Sequence, residues 1–377
     1  MKFGMIVFLL LPFLGGGYVM WHTWRILPIP VWAKVLAMLL MIGAFALFFV
    51  ALMSMLDTLP MPLATIIYEV GTSWLIVLLY LFIIFLLLDL GRLFHLVPSS
   101  LLSNSWRGTM GILIVMLLLF GLGNLNYRHK VRRTLELTTN KPLEKPLKVV
   151  MMSDLHLGYH NQRKELARWI DIVNSEHPDL ILIVGDIIDR SLRPLKEQRM
   201  AEEFKRLEAP VVACLGNHEY YAGEKEALAF YKEAGIILLR DQVLNWGDVC
   251  IAGRDDRTNP RRKTVMNLVS NIDRHRYTIL LDHQPYHLEH AEKMNVDLQL
   301  SGHTHGGQVW PISWITRSLY ECAAGEYQRR DTHYFVSSGM GIWGGKYRIG
   351  TRSEYVVVTI KPALSDRPDA RRRSPNK

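Results

Sequence analysis

Four runs free of charged residues occupy the first third of the chain: Phe3 to Trp24, Val35 to Leu56, Val70 to Leu88 and Gly108 to Tyr127. Each approaches or exceeds the ~20 residues needed to cross about 30 Å of hydrocarbon, so the pattern predicts a region of about four transmembrane helices over 1–127. The first run also fits a signal peptide, because Lys2 precedes it and Gly15, Gly16 and Gly17 lie at its end. The other three anchor the chain in either case. Trp21, Trp24, Trp32, Trp74 and Trp106 fall near the ends of these runs, as an interfacial aromatic belt or as ordinary helix packing.

Past Tyr127 the pattern changes. Residues 128–147 are basic and polar with Pro142 and Pro146, which predicts a juxtamembrane linker. From 148 to 361 short apolar runs alternate with amphipathic ones. Lys148 to Ser153, Leu180 to Val184, Val211 to Leu215, Tyr277 to Asp282 and Val296 to Leu300 read as buried strands. Asn161 to Glu176 spaces Leu166, Trp169, Ile170 and Val173 as one helical face, and Glu197 to Leu207 and Glu224 to Glu233 read as further helices. Cys250 to Gly253, Tyr334 to Ser338 and the β-branched Tyr355 to Ile360 complete the strands. The expectation is an α/β domain in which two sheets stack with helices outside. No internal repeat is present.

Composition adds a membrane partner and removes others. Of 377 residues 49% are hydrophobic, and the net charge is +9. The basic residues gather after the fourth run and in a tail, 362–377, with Arg371, Arg372, Arg373, Pro368 and Pro375, expected to be disordered. Clustered cations beside a span point to anionic lipid. No basic stripe interleaved with aromatics appears, so no nucleic-acid partner is expected. Cys214, Cys250 and Cys322 are odd in number and widely spaced, which excludes a disulfide framework.

The chemistry lies where the strands end. Asp154-Leu-His156, Gly185-Asp186-Ile-Ile-Asp189, Gly216-Asn217-His218-Glu219, His283 and Gly302-His303-Thr-His305 each follow one of the five apolar runs. Ligands at the carboxyl ends of parallel strands converge on one crevice. An isolated Asp-x-His or Gly-Asp is ordinarily only a strand-end turn. Five such clusters in succession supply Asp, His and Asn without Cys, a donor set suited to Mn, Fe or Zn and too rich for one four-coordinate ion. Two ions bridged by a carboxylate serve phosphoester hydrolysis above all. Each imidazole must be neutral to ligate, so activity should fall as pH drops towards about 6.5. Gly185, Gly216 and Gly302 are expected at tight turns that a Cβ would oppose.

In order and spacing these clusters resemble the calcineurin-like metallophosphoesterases, in a match running roughly from Lys148 to Ile360. The resemblance implies a four-layer α-β-β-α sandwich. It implies one metal held by Asp154, His156, Asp186 and His305 and another by Asp186, Asn217, His283 and His303, with Asp186 bridging. It further implies a metal-bridging hydroxide as nucleophile, His218 as the acid that protonates the leaving group, and Asp189 orienting ligands without touching an ion. The implied cofactors are two divalent metal ions, and the implied partners are the bilayer and a phosphoester substrate, lipid-linked or carried by an envelope molecule.

By the positive-inside rule, Arg25, Lys34, Arg92 and Arg107 place their loops in the cytoplasm and the catalytic domain outside, whereas Arg128, Lys130, Arg132 and Arg133 argue the reverse. Similar membrane-anchored members carry the domain on the outer face, so the expectation is a multi-pass protein of a bacterial inner or plasma membrane with its catalytic domain extracytoplasmic. Two alternatives stand beside the leading one: a pyrophosphatase resembling the UDP-2,3-diacylglucosamine hydrolases, and a non-enzymatic membrane scaffold with a structural metal site. The scaffold would tolerate a missing ligand or acid, and none is missing. A transporter lacks the intramembrane charge that forms a pathway.

After His305, the run Trp310, Pro311, Ile312, Trp314 and Ile315 is too apolar for a routine loop, and is expected either to form a rim touching lipid or to fold over the core. Tyr159, His160, Arg190, Tyr220 and Tyr221 follow the clusters closely and are candidates for the pocket wall. His287, His290 and His333 read as surface or packing residues.

Overall fold

Four long helices open the chain in the computed structural model, which describes residues 3–363, with side chains from Pro12 onward apart from Ser54. They are α1 (Phe3–Ile26), α2 (Val31–Ala51), α3 (Met61–Leu93) and α4 (Trp106–Arg128). Helices serve here because they satisfy their own backbone groups where no water can. α2, α3 and α4 are each long and apolar enough to cross a membrane. The first expected span forms a helix whose side chains up to Leu11 lie outside the described residues, as does the tail beyond 363.

Within the bundle the few polar groups find one another. Tyr18 donates to Asp89 at 2.7 Å, His22 Nε2 lies 2.9 Å from the same carboxylate, and Lys34 donates to Asn104 at 2.9 Å. Val19 and Ile26 of α1 share a buried cluster with Leu78 and Phe85 of α3. Gly71 lets α2 and α3 approach closely, since a Cβ there would sit 2.5 Å from the Leu47 carbonyl oxygen.

α3 has 33 residues and hence a length of about 50 Å, well beyond about 30 Å of hydrocarbon. The surplus is its amino-terminal part, which is packed against the soluble domain. Ala64 and Tyr68 form one buried cluster with Ala51, Leu56 and Tyr159.

The domain that follows has two six-stranded sheets. Its strands are β1 (Lys130–Thr139), β2 (Leu147–Met152), β3 (Leu180–Val184), β4 (Val211–Cys214), β5 (Ile237–Leu238) and β6 (Gln242–Trp246), then β7 (Val249–Gly253), β8 (Tyr277–Leu281), β9 (Leu298–Ser301), β10 (Gly325–Arg329), β11 (Thr332–Val336) and β12 (Ser353–Pro362). One sheet has the order β1-β12-β2-β3-β4-β5 and the other β10-β11-β9-β8-β7-β6. Between the strands run α5 (Arg163–Ser175), α6 (Arg193–Glu197), α7 (Met200–Phe204), α8 (Asn217–Ala222), α9 (Glu224–Glu233), α10 (Val265–Val269), α11 (Glu289–Lys293) and α12 (Ile312–Leu319).

The strands read as unbroken apolar runs because both faces are covered. Alternation still sorts the side chains. Val149, Met151, Leu180, Leu182 and Val184 point between the sheets and meet Ile251, Ile279, Leu281 and Leu300 of the second sheet. Val150, Met152, Ile181 and Ile183 point outward and meet Leu166, Trp169 and Ile170 of α5 and Phe230 of α9. On the far side, Leu280 and Val336 pack against Leu268 of α10 and Ala291 of α11. The expected four layers are therefore present.

Two local expectations need correction. The linker expected over 128–147 instead carries β1, which pairs in parallel with β12 over ten residues, from Lys130 opposite Ser353 to Thr139 opposite Pro362. Its basic residues are engaged within the domain: Arg132 pairs with Glu176 at 2.7 Å and Arg133 with Glu354 at 3.1 Å. The helix expected over Glu197 to Leu207 is two short helices, broken at Arg199, whose φ is 49°.

Replacing Gly71 by Ala should force α2 and α3 apart and lower the unfolding temperature of the detergent-solubilised protein, at a cost of about 1–3 kcal/mol. Gly43→Ala in α2, where a new Cβ meets nothing within 4 Å, should leave that temperature unchanged. Equal melting of the two variants would contradict the close contact.

Candidate metal centre

Every expected site residue sits just beyond the carboxyl end of a strand, but the strands belong to two sheets. Asp154 and His156 follow β2, Asp186 and Asp189 follow β3, and Asn217 and His218 open α8 after β4, all from the first sheet. His283 follows β8, and His303 and His305 follow β9, from the second. The crevice therefore straddles the open end of the sandwich.

Tight reversals are needed to turn these side chains inward, and the strain falls on the functional residues themselves. Asp154, His156, Asp186, His303 and His305 have φ of 54°, 45°, 53°, 71° and 51°. A residue with a Cβ in this left-handed region costs on the order of 1–3 kcal/mol and persists only where its surroundings fix it. Of the three glycines, Gly185 has the positive φ expected of it, 76°. Gly216 does not, with φ of −109°, and the need at Gly216 and Gly302 is space. A Cβ would lie 2.1 Å from Asp186 Oδ1 at Gly216 and 2.4 Å from Asp154 Oδ2 at Gly302.

Three groups of possible ligands result, one of them His156, Asp189 and His218, and the other two matching the expected ligand sets. Asp154, His156 and His305 offer donor atoms within 4.8 Å of one another, and so do Asp186, His283 and His303. In the first group His156 Nε2 and His305 Nε2 face each other at 3.1 Å, and Asp154 Oδ1 lies 3.9 and 3.7 Å from them. In the second, His283 Nδ1 donates to the Val184 carbonyl at 2.7 Å, leaving Nε2 3.1 Å from Asp186 Oδ2. The same Asp186 oxygen is 3.7 Å from His156 Nε2, so it borders both groups. Asn217 Oδ1 and His283 Nε2 are buried without a hydrogen-bond partner. Opposed ring nitrogens, orphaned acceptors and buried carboxylates are what divalent cations satisfy, and the residues present fit them.

Neighbouring groups orient this set. The backbone N–H of His303 donates to Asp154 Oδ1, and that of His218 to Asp186 Oδ1, both at 2.9 Å. Asp189 presents Oδ1 at 3.4 Å from His156 Nδ1 and 3.5 Å from His218 Nδ1, while its main-chain carbonyl accepts from His218 Nδ1 at 2.6 Å. Burial alone would raise the Asp189 carboxyl, but the hydrogen-bonding rings of His156 and His218 hold it well below the usual carboxylate range. For His218, burial disfavours the proton, yet the charge of Asp186 and the bond to Asp189 outweigh it and push the ring up to about 9. His303 goes the other way, brought down to about 4 by burial and by His283 beside it.

The structure adds residues to which no role was assigned from the sequence. Glu219 accepts from the backbone N–H groups of Gly216, Asp186 and Ile188 at 2.7, 3.1 and 3.1 Å, binding two ligand loops together. Its spacing from Gly216, that of a capping box, is a signal that sequence can carry. Arg348 is fully buried and donates to the carbonyls of His305 and Gly341 at 2.7 and 3.1 Å, with no motif around it. Tyr68 of α3 donates to Asp189 Oδ2 at 2.6 Å.

Of the candidates for the pocket wall, Arg190 and Tyr221 line a cavity of about 550 Å³ beside the centre, together with Asp57, Lys196 and Glu226. Tyr159 and His160 are buried against α3, and Tyr220 is tied to Asp255 at 2.6 Å. His287 and His290 are exposed.

Comparison with known proteins matches this geometry. Residues 147–307 fit the family of calcineurin-like phosphoesterases. A metallophosphoesterase of Aquifex aeolicus is 33% identical over 59% of this chain and 88% of its own length. One from Campylobacter jejuni is 35% identical over 58% of this chain, which spans only 60% of that relative. A Danio rerio transmembrane protein with a metallophosphoesterase domain is 28% identical over 82% of this chain and 76% of its own length, a span reaching into the helical region. From the two sheets, the ligand groups at their open end and these likenesses together, the chain belongs to the calcineurin-like metallophosphoesterase family.

Proposed function

We propose that this protein is a membrane-anchored dimetal phosphoesterase that hydrolyses a phosphodiester or pyrophosphate bond of a lipid-linked substrate. The observation that carries the dimetal reading is the placement of Asp186 Oδ2, 3.1 Å from His283 and 3.7 Å from His156. On this reading Asp186 would serve both ions, Asp154, His156 and His305 would complete the holding of one, and Asn217, His283 and His303 that of the other. Bound divalent cations of the Mn, Fe or Zn kind would neutralise phosphoryl oxygens and supply water at a reactive pKa.

The chain's own groups do the rest. His218 gives Nδ1–H to the Asp189 carbonyl, which leaves Nε2 as the atom that hands a proton to the departing oxygen. His218, His303 and His305 are partly open to solvent, with 12% of the side chain exposed at His218 and at His305, whereas Asp154, His156 and His283 are sealed, so substrate reaches the centre across the face these three histidines share.

The lipid link rests on α12. This helix starts seven residues after His305 and exposes Ile312, Trp314, Ile315 and Leu319, with Trp314 at 61% and Leu319 at 69%. Tyr80 of α3 donates to the Trp310 carbonyl at 2.5 Å, which ties this apolar face to a membrane helix. A rim of this kind at the headgroup boundary would present a phosphoester held in the bilayer to the metals.

An extracytoplasmic domain is the orientation we favour. Arg25, Lys34, Arg92 and Arg107 lie at the helix ends remote from the domain, and of the opposing basic residues Arg132 and Arg133 belong to ion pairs within the domain.

Manganese titration of stripped, detergent-purified protein should reach two ions per chain. Asp186→Asn should bind fewer than one at the same free concentration, and His218→Ala should keep both while losing roughly 100-fold or more in kcat on an unactivated phosphodiester. Saturation at one ion, or full occupancy in Asp186→Asn, would refute the bridge. Replacing Trp310 and Trp314 by Ser should lower turnover of a vesicle-borne phospholipid by about tenfold and leave bis(p-nitrophenyl) phosphate unaffected. Equal rates on both substrates would remove the lipid rim.

A further inference from the structure

We propose that Tyr68, carried by membrane helix α3, is a positioning residue of the catalytic centre, its hydroxyl fixing Asp189 and through Asp189 the proton-bearing ring of His218. This inference rests on the reading of His218 as the acid.

Tyr68 and Asp189 are 121 positions apart in the sequence, and each is 1% exposed. The two carboxylate oxygens of Asp189 have separate neighbours. Oδ1 faces His156 and His218, and Oδ2 takes the Tyr68 hydroxyl proton at 2.6 Å. The main-chain carbonyl of the same residue holds His218 Nδ1 at 2.6 Å. One residue thus presents three oxygens, two towards the site and one to the membrane helix.

The rest of the pocket is tight. Asp189 Cβ lies only 3.2 Å from where a side chain at Gly158 would begin. The Tyr68 ring stacks on His160 at 4.9 Å with 26° between planes, and His160 is itself held to the Ile342 carbonyl at 2.7 Å. With ring and carboxylate both confined, the hydroxyl decides how the Asp189 carboxylate is rotated. A bond to a buried charge is one whose loss is strongly felt, because the abandoned oxygen is left unpaired in a dry site. The carboxylate would then turn towards the two histidines and the His218 ring would lose its fixed direction.

A purely structural role for Tyr68 makes a different prediction. Helix docking uses other bonds as well, among them Tyr159 to Asp57 and Thr65 to the Tyr159 carbonyl. Losing docking would weaken every reaction alike. Losing the aim of an acid weakens only reactions whose leaving oxygen needs a proton.

The test compares methyl phenyl phosphate with methyl p-nitrophenyl phosphate, whose leaving group departs as a stable anion, using the full-length manganese-loaded protein. Tyr68→Phe keeps the stacked ring. It should lower kcat on the phenyl ester roughly tenfold, with KM and metal content unchanged and the p-nitrophenyl ester affected no more than about twofold. Tyr159→Phe, a docking variant that does not touch Asp189, should change both rates by the same factor, with no selectivity for the leaving group.

His218→Ala must show the same dependence on the leaving group, and adding Tyr68→Phe to it should cause no further loss. Equal losses on both esters in Tyr68→Phe, no loss on either, or a selective loss reproduced by Tyr159→Phe would each overturn the proposal. If His218→Ala itself fails to discriminate, the acid assignment falls and this inference with it. If it discriminates and Tyr68→Phe does not, only the role of Tyr68 falls.

Discussion

Burying like charges together is the constraint that shapes this molecule. Asp154, Asp186 and Asp189 are all within 1% of full burial, and the fold brings them together at the mouth of one crevice. A carboxylate removed from water costs several kcal/mol unless an opposite charge or a set of donors meets it. Here the compensation comes from backbone N–H groups, from imidazoles and, in the reading we favour, from cations. The left-handed backbone at five of the site residues and the missing side chains at Gly216 and Gly302 are local concessions to that assembly. The two sheets supply the stiffness that makes such concessions tolerable.

The helical region is built into the same structure and is more than a tether. Tyr127 of α4 donates to Asn161 at 2.6 Å, and Asn161 in turn holds the carbonyls of Leu155 and His156. Arg193 gathers the carbonyls of Leu56, Asp57 and Leu59 in the turn between α2 and α3. The backbone N–H of Arg348 donates to the Gly123 carbonyl at 2.9 Å, and a Cβ at Gly123 would meet Ile349 at 2.9 Å. Asn161 and Arg348, which support the loops of candidate ligands, are thus among the residues that the membrane helices grip.

What could be read from sequence follows from how local each signal is. Strands such as Leu180–Val184 announce themselves because a run of β-branched and aliphatic residues bounded by Gly and Asp has few other uses. The candidate ligands were legible because their types are rare inside a core and their spacing follows the strands. β1 was not, since Lys130, Arg132, Arg133 and Glu136 make it look like a solvated linker and only Leu135 and Leu137 reach the core beneath. Tyr68 was hidden for a different reason. A tyrosine near the start of an apolar helix reads as an anchor at the bilayer surface, and nothing within the sequence neighbourhood of either residue points to Asp189.

The single residue His129 separates the last membrane helix from β1, and β1 is then locked beside β12 by ten successive pairings. No swivel exists at that junction. The catalytic crevice consequently rides at a set height and tilt above the bilayer, like a tool on a fixed mount. A small phosphoester can still diffuse to it from water, whereas a phosphate tethered to the membrane is within reach only if its carrier holds it at that height.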